Sequence, residues 1–362
     1  MQVSRHAALD ELSPAAVRLF ASPNEDLFAS ELWFATLLQH ARPAGWAPQF
    51  VECTANGVPT ALLPLIGAQK RGAVLQSLTG LYSLTFRPLL APEASPAENG
   101  AALGRFCRAI GLVRLDALAP ETPGFAEFAA GLRRAGLTVL KFDNFGNWYE
   151  PVAGKSFGEF LDARPGVLRS TIRRKMRHAL GVGDFAVVTG EPGLTAAIQT
   201  YEAVYARSWK PAEPFPSFHA ALIRAAAAHG LLRLGVLHLS GQAAAVQLWI
   251  VCKGRAIVLK LAHDESLVRF SPGTVLTALM IERLLGEEHL IELDFGRGDD
   301  PYKQLWTSRR RQRLGFMLAD PLKPRGLAEI SRSALGAVRR KVLAVKRTQH
   351  TLRQRRGASD AA

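Results

Sequence analysis

Apolar and polar positions along the chain alternate between a helical and an extended rhythm. "SELWFATLLQHA" (30–41) places its apolar residues at helical spacing. "APQFVECTANGVPTALLPLIGAQKRG" reads as two strands around Asn56-Gly57, a pair that favours a tight hairpin turn. "AVLQSLTGLYSLTFRPLLAP" continues as strand-like material, followed by a helix over 99–113 and a short strand, "VRLDAL". "GFAEFAAGLRRAG" predicts an amphipathic helix ended by Gly136, and "LTVLKFDNFGNWYEP" is extended.

The same order returns after Pro151. A basic helical segment leads to a strand, then to helices over "GLTAAIQTYEAVYARSW" and "FHAALIRAAAAHG". "LLRLGVLHLSGQAAAVQLWIVCKGRAIVLKLAHD" gives three strands divided by Ser240-Gly241 and Lys253-Gly254. "SPGTVLTALMIERLLGEEH" is a helix with Ser271 as N-cap and Pro272 in its first turn. The strands "LIELDF" and "RLGFML" (313–318) follow. The halves rhyme in their hairpins, "ECTANGVPTALLPL" and "VLHLSGQAAAVQLWI", which suggests a duplicated α/β unit. The expected fold is therefore α/β with a mixed sheet in two tandem lobes, 1–150 and 151–320, and a tail over 321–362.

Composition narrows the classes. Nearly half of the 362 residues are apolar, enough for a real core. The three cysteines lie far apart without metal-ligand spacing, so neither a metal centre nor a disulfide framework is expected. No run of about 18 apolar residues occurs, and the start lacks a signal-peptide pattern. The expectation is a cytoplasmic protein. Of the net charge of +14, residues 321–362 carry 11 Lys+Arg against 2 Asp+Glu. Leu327, Ile330, Leu335, Val338, Val342 and Val345 would form the apolar stripe of a basic amphipathic tail helix. Such a helix either rests on the anionic inner face of a membrane or stays solvated.

Three stretches carry candidate chemistry. The helix beginning at Ser271 leaves free N–H groups and a partial positive charge, which suit phosphate; Gly273 lets an anion approach and Arg269 adds a cation. "LDFGRGDDPYKQLW" (293–306) concentrates charge after an apolar strand, and ligands in open α/β sheets gather at strand ends. There Asp294, Asp299 and Lys303 are candidate catalytic groups and Tyr302 a substrate contact; a solvated ion-pair turn is the alternative. "HDES" offers His263 and Asp264 as proton acceptors, although a histidine after an apolar strand is more often packed. In "RPGVLRSTIRRKMRH", Arg169 and Arg173 lie on a cationic face beside the stripe Leu168, Ile172 and Met176, an anion site or a solvated face. Trp209 closes the stripe Tyr201–Tyr205–Trp209 and forms either core or, with Lys210, an acceptor wall.

Taken together, "RSTIRRKMRH", "YARSWK…GQAAAVQLWI" and "SPGTVL…DFGRGDDPYKQLW" resemble the CelD/BcsL-type, BioF2-like acyltransferases of the GNAT superfamily, relatives of the Fem-type peptidyltransferases. The resemblance covers roughly residues 25–320. It implies two GNAT-like lobes and an acyl-CoA donor such as acetyl-CoA. The acceptor would be a small-molecule or saccharide amine or hydroxyl, often in exopolysaccharide or cellulose production. It further implies that Arg269, Ser271, Gly273 and Thr274 cradle the coenzyme A diphosphate. Here "RFSPGT" departs from the superfamily's Q/R-x-x-G-x-G/A pattern by one residue of spacing and by Thr274. Lys303 matches an aromatic–Lys pair of Fem-type relatives. Two alternatives stay open: an aminoacyl-tRNA donor, the one case in which nucleic acid enters, and a non-enzymatic lobe pair that binds membrane surfaces.

Overall fold

The computed structural model describes residues 1–70 and 72–336. The rest of the expected tail helix, with Val338, Val342 and Val345, lies outside the described residues. The first half runs β1 (Gln2–His6), α1 (Pro14–Val17), α2 (Glu31–His40), β2 (Trp46–Ala55), β3 (Val58–Ala68), β4 (Leu75–Ser77), β5 (Leu89–Leu90), α3 (Pro96–Ile110), β6 (Leu112–Leu118), α4 (Phe125–Arg134) and β7 (Thr138–Pro151). The second runs α5 (Phe157–Asp162), α6 (Gly166–Val182), β8 (Gly183–Val188), α7 (Leu194–Ala206), α8 (Ser217–Ala228), β9 (Leu232–Leu239), β10 (Gln242–Cys252), β11 (Arg255–His263), α9 (Pro272–Glu287), β12 (Glu292–Arg297), α10 (Lys303–Trp306) and β13 (Arg309–Ala319). The helix expected over 99–113 starts earlier. The Ser95 hydroxyl accepts from the Glu98 amide, Pro96 fits the first turn, and Gly111 at φ 98° stops it.

One sheet runs through both halves in the order β1-β2-β3-β4-β6-β13-β7-β12-β11-β10-β9-β8, with β5 beside β3. The order repeats. An antiparallel run β1 to β4 meets β6 in parallel across α3, and a run β8 to β11 meets β12 in parallel across α9. β13 lies between β6 and β7, so the last described strand stitches the first half to the second.

β10 shows why its sequence is apolar without alternation. Val246, Leu248 and Ile250 join the core beneath α7 and α8, while Ala245 and Trp249 join a second core beneath α9. A strand covered on both faces is apolar on both. Gln247 is the exception. It is fully buried, donates to the Gly273 carbonyl (3.2 Å) and Thr277 Oγ1 (2.7 Å), and accepts from Trp249 Nε1 (2.8 Å). This network ties the first turn of α9 to the sheet.

Asp294 is fully buried on β12. It accepts from Asn147 Nδ2 (2.6 Å), the Gly296 amide (2.8 Å) and Arg311 Nη2 (2.5 Å). Arg311 also grips Glu292 (2.8 Å) and Asn147 Oδ1 (2.6 Å), so β7, β12 and β13 share one ionic knot. Removing one member strands a buried charge, at a cost of roughly 3–5 kcal/mol. Arg311→Met is expected to lower unfolding free energy by about that amount in urea titration; a loss below about 1 kcal/mol would show that the knot does not hold the strands.

Candidate active site

β11 and β12 pair in parallel over only three positions, Arg255–Glu292, Ala256–Leu293 and Ile257–Asp294. Beyond them the strands part. At the parting, a Cβ on Gly296 would stand 2.5 Å from the Val258 carbonyl oxygen, and its φ of 69° also favours glycine. From Val258 to His263 the β12-facing edge of β11 has no strand partner among the described residues. An unpaired strand edge presents backbone N–H and C=O groups to whatever lies beside it.

A bulge falls in the same place. Trp249 pairs with Val258 and Leu248 with Lys260, leaving Leu259 as the extra residue. A bulge re-aims the side chains that follow it. Lys260 thereby points to the α7–α8 side, where its ammonium meets Glu213 at 2.5 Å. Strand, turn and first-half residues enclose a cleft of ≈ 380 Å³ lined by Tyr82, Tyr205, Lys210, Glu213, Lys260 and Lys303 among others. Tyr82 of the first half stacks on Phe218 of α8 at 4.1 Å, so both halves build its wall.

Glu213 is the hub. It accepts from Tyr82 Oη (2.8 Å), Tyr205 Oη (2.5 Å) and Lys260 Nζ (2.5 Å). Burial works against its charge, but bonds from Lys260 and Tyr205 outweigh burial and bring the carboxyl down to about 2. Burial, with the Glu213 bond, raises both tyrosines. Burial lowers His219 to about 4, leaving a neutral ring. Lys210 is lowered by burial and then by Lys260. Glu213 is therefore not poised near neutral pH to take a proton.

At the far end of the open β11 edge stands α9. Its first turn departs from expectation at Ser271, whose backbone is left-handed (φ 55°, ψ 47°) and whose side chain caps nothing. Pro272 has no N–H, and among the described residues the amides of Gly273 and Thr274 have no hydrogen-bond acceptor. An uncapped turn of this kind suits phosphate. Gly273 is close-packed: a Cβ there would stand 3.1 Å from His263 Nδ1, a buried nitrogen without a partner. Arg269 is exposed and lies over the Phe270 ring at 4.7 Å.

The other sequence candidates divide. Tyr302 and Lys303 line the cleft. Lys303 is nevertheless 3% exposed, and its ammonium is engaged by the carbonyls of Arg297 (2.7 Å) and Gly298 (3.2 Å) and by Asp300 (3.0 Å). It holds the 297–303 turn. Asp294 is not a proton acceptor facing substrate, because the knot beneath the sheet consumes it. Asp264 is likewise corrected. It caps the turn before α9 through Ser266, pairs with Arg207 at 2.6 Å, and is lowered to about 2, first by the Ser266 bond and then by Arg207 against burial. Asp299 turns outward to Trp148 Nε1 (2.8 Å) and Arg310 (2.7 Å) and does not line the cleft. Arg169 and Arg173 stand on the surface of α6 against Asp162 at 3.7 and 3.3 Å, away from the cleft. On the same helix Lys175 instead donates to the Arg269 carbonyl (2.6 Å) and His178 stacks on Phe270. Trp209 packs beside His263 at 4.4 Å, outside the cleft wall that its neighbour Lys210 joins.

Sequence reading missed Glu213, Lys260 and Tyr82, whereas Lys210, paired there with Trp209 as a pocket wall, does line the cleft. One signal was present: Lys260 is the sole charge within the run "AIVLKLA". Its partner Glu213 sits in the Pro-rich connection "KPAEPFP", which has no periodicity to place it.

Residues 167–304 match the model of the Acetyltransferase (GNAT) domain, from α6 into α10. No curated protein matches the chain in sequence. Among solved structures the chain is similar to FemX at 12% identity, over 88% of this chain and 97% of that one, with a TM-score of 0.58. It is similar to a tandem GNAT protein from the clavulanic acid biosynthesis pathway at 13% identity, over 89% and 100%, with a TM-score of 0.54. A conserved protein of unknown function from Bacteroides thetaiotaomicron follows at 10% identity, over 86% and 95%, with a TM-score of 0.52. These likenesses concern the fold. The architecture is a mixed α/β sheet of tandem GNAT-like lobes, and the second lobe carries an acyltransferase domain.

Glu213 supplies a pH test. Its carboxyl lies at about 2 in the folded chain against 4.5 ordinarily, so between those values the unfolded chain binds more protons. The stability it adds is complete above the ordinary value and disappears as pH falls through the folded one. Glu213→Gln should flatten the fall in urea midpoint between about pH 4.5 and about pH 3; a variant curve parallel to the parent's would contradict the assignment.

Proposed function

We propose that the chain transfers an acyl group from acyl-coenzyme A, with acetyl-CoA the first donor to test, to an amine or hydroxyl acceptor held in the cleft. One observation carries this reading. The unpaired edge of β11 leads from the cleft directly to the uncapped first turn of α9. The amides of Gly273 and Thr274 would take the donor diphosphate, with Arg269 beside them. The pantetheine arm would lie along β11 as a strand-like neighbour and bring its thioester to the bulge at Leu259. There an unpaired backbone amide would polarise the carbonyl.

Attack is direct. The acceptor nitrogen or oxygen bonds to the acyl carbon, the carbon–sulphur bond breaks, and coenzyme A leaves as thiolate and takes a proton. Because Glu213 stays ionised and strongly bonded, the acceptor's proton passes to water rather than to Glu213. Binding and orientation supply most of the acceleration.

Within the superfamily we place the chain with the CelD/BcsL-type, BioF2-like branch, on its motifs "RSTIRRKMRH" and "DFGRGDDPYKQLW". Exopolysaccharide or envelope assembly, and contact of the basic tail with an anionic membrane, belong to the same proposal. No described helix is long and apolar enough to cross a membrane.

Titration calorimetry with acetyl-CoA tests the donor. Saturable binding is expected, weakened at least about tenfold by Thr274→Glu, which places a negative charge where the diphosphate would sit. The same charge favours a helix N-terminus, so the melting temperature should hold. Absence of acetyl-CoA binding, or equal binding by Thr274→Glu, would defeat the donor assignment.

A further inference from the structure

The cleft holds more positive charge than its donor needs. Its walls include Lys210, Lys260, Arg297 and Lys303 but only two carboxylates, Glu213 and Asp300. Lys260 is matched by Glu213 at 2.5 Å and Lys303 by Asp300 at 3.0 Å. Lys210 and Arg297 have no carboxylate partner among the described residues. Each lies against an aromatic face instead, Lys210 over Trp209 at 5.3 Å and Arg297 over Phe145 at 4.1 Å. The ring of His219 is neutral and adds no charge.

Two unmatched cations lining a partly enclosed cleft each lose hydration, a cost that an anion bound in the cleft removes. Burial lowers the pKa of both, as this cost requires. The donor does not account for them. Its diphosphate is taken by the α9 amides in the reading above, and its pantetheine arm is uncharged.

We propose that the acceptor is an anion, an amine or hydroxyl compound that carries a phosphate or carboxylate bound by Lys210 and Arg297. The proposal rests on the acyltransferase reading and narrows its substrate class. Lys210 lies in the connection between α7 and α8, in the field of Lys260, Asp300, Glu213 and Lys303. Arg297 ends β12 at the mouth of the parting strands.

Matched acceptor pairs decide the matter. With coenzyme A saturating, so that the α9 turn is occupied, ethanolamine and phosphoethanolamine are titrated calorimetrically, then glycinamide and glycine. The anionic member of at least one pair should bind at least about tenfold more tightly than its partner. The pair that shows the gap identifies phosphate or carboxylate as the recognised group. Lys210→Met should reduce the gap to under about threefold, and Lys210→Arg should retain it, with coenzyme A affinity unchanged in both. Equal binding within both pairs, including no binding by any member, overturns the proposal. So does a Lys210→Met variant that weakens anionic and neutral members alike, which would make Lys210 a group for the leaving thiolate. If coenzyme A itself does not bind, the donor assignment alone falls, and the pairs are compared on the free protein by the same criteria.

Discussion

The parting of β11 from β12 is the constraint on which the site depends. The two parallel strands begin in register and then diverge, and each side of the divergence is fixed by its own chemistry. β12 is held by Asp294, locked to Asn147 and Arg311. β11 is held to β10, and the bulge at Leu259 bends it away. Gly296 removes the side chain that would collide with Val258 at the fork. The gap is thus a product of strong pairing on both flanks rather than of weak pairing between them.

Electrostatics divides the ionisable groups into two kinds. The carboxylates Glu213, Asp264 and Asp294 are engaged by several donors each and serve to hold the framework. Cations are left over. A site with its acids locked and its bases in excess is suited to binding and orienting charged reactants, not to shuttling protons through carboxylates. The same logic reassigns Lys303. A lysine with three protein acceptors has no hydrogen left to offer a substrate, so its contribution is the shape of the turn that closes the cleft.

The repeated architecture gives the two halves unequal tasks. In the second, β11, α9 and β12 form the open fork. In the first, α3 begins with a capped turn, the Ser95 hydroxyl accepting from the Glu98 amide, and Glu98 brings an acid into that first turn. The first half instead contributes Tyr82 and Trp33 to the wall of the other half's cleft. β13 makes this arrangement rigid by pairing with β6 and β7 at once.

The order of elements was readable in the chain because period and punctuation are local. Asn56-Gly57, Ser240-Gly241 and Lys253-Gly254 turn the chain where positive φ is needed, and the apolar runs between them become strands. The start of α9 was readable for the same reason, since Pro272 acts through its own backbone, although Ser271 does not cap it. What the sequence alone left undecided was the partner of each charge. Asp294, Asp299 and Lys303 look alike as neighbours in one motif, yet one is sealed in a knot with β7 and β13, one faces solvent, and one pins a loop. Glu213 and Lys260, forty-seven positions apart, meet only because a bulge rotates one strand position toward the α7–α8 connection. Local rules determine which segments form; long-range packing decides which polar groups remain free to do chemistry, because burial and pairing depend on residues distant in the chain.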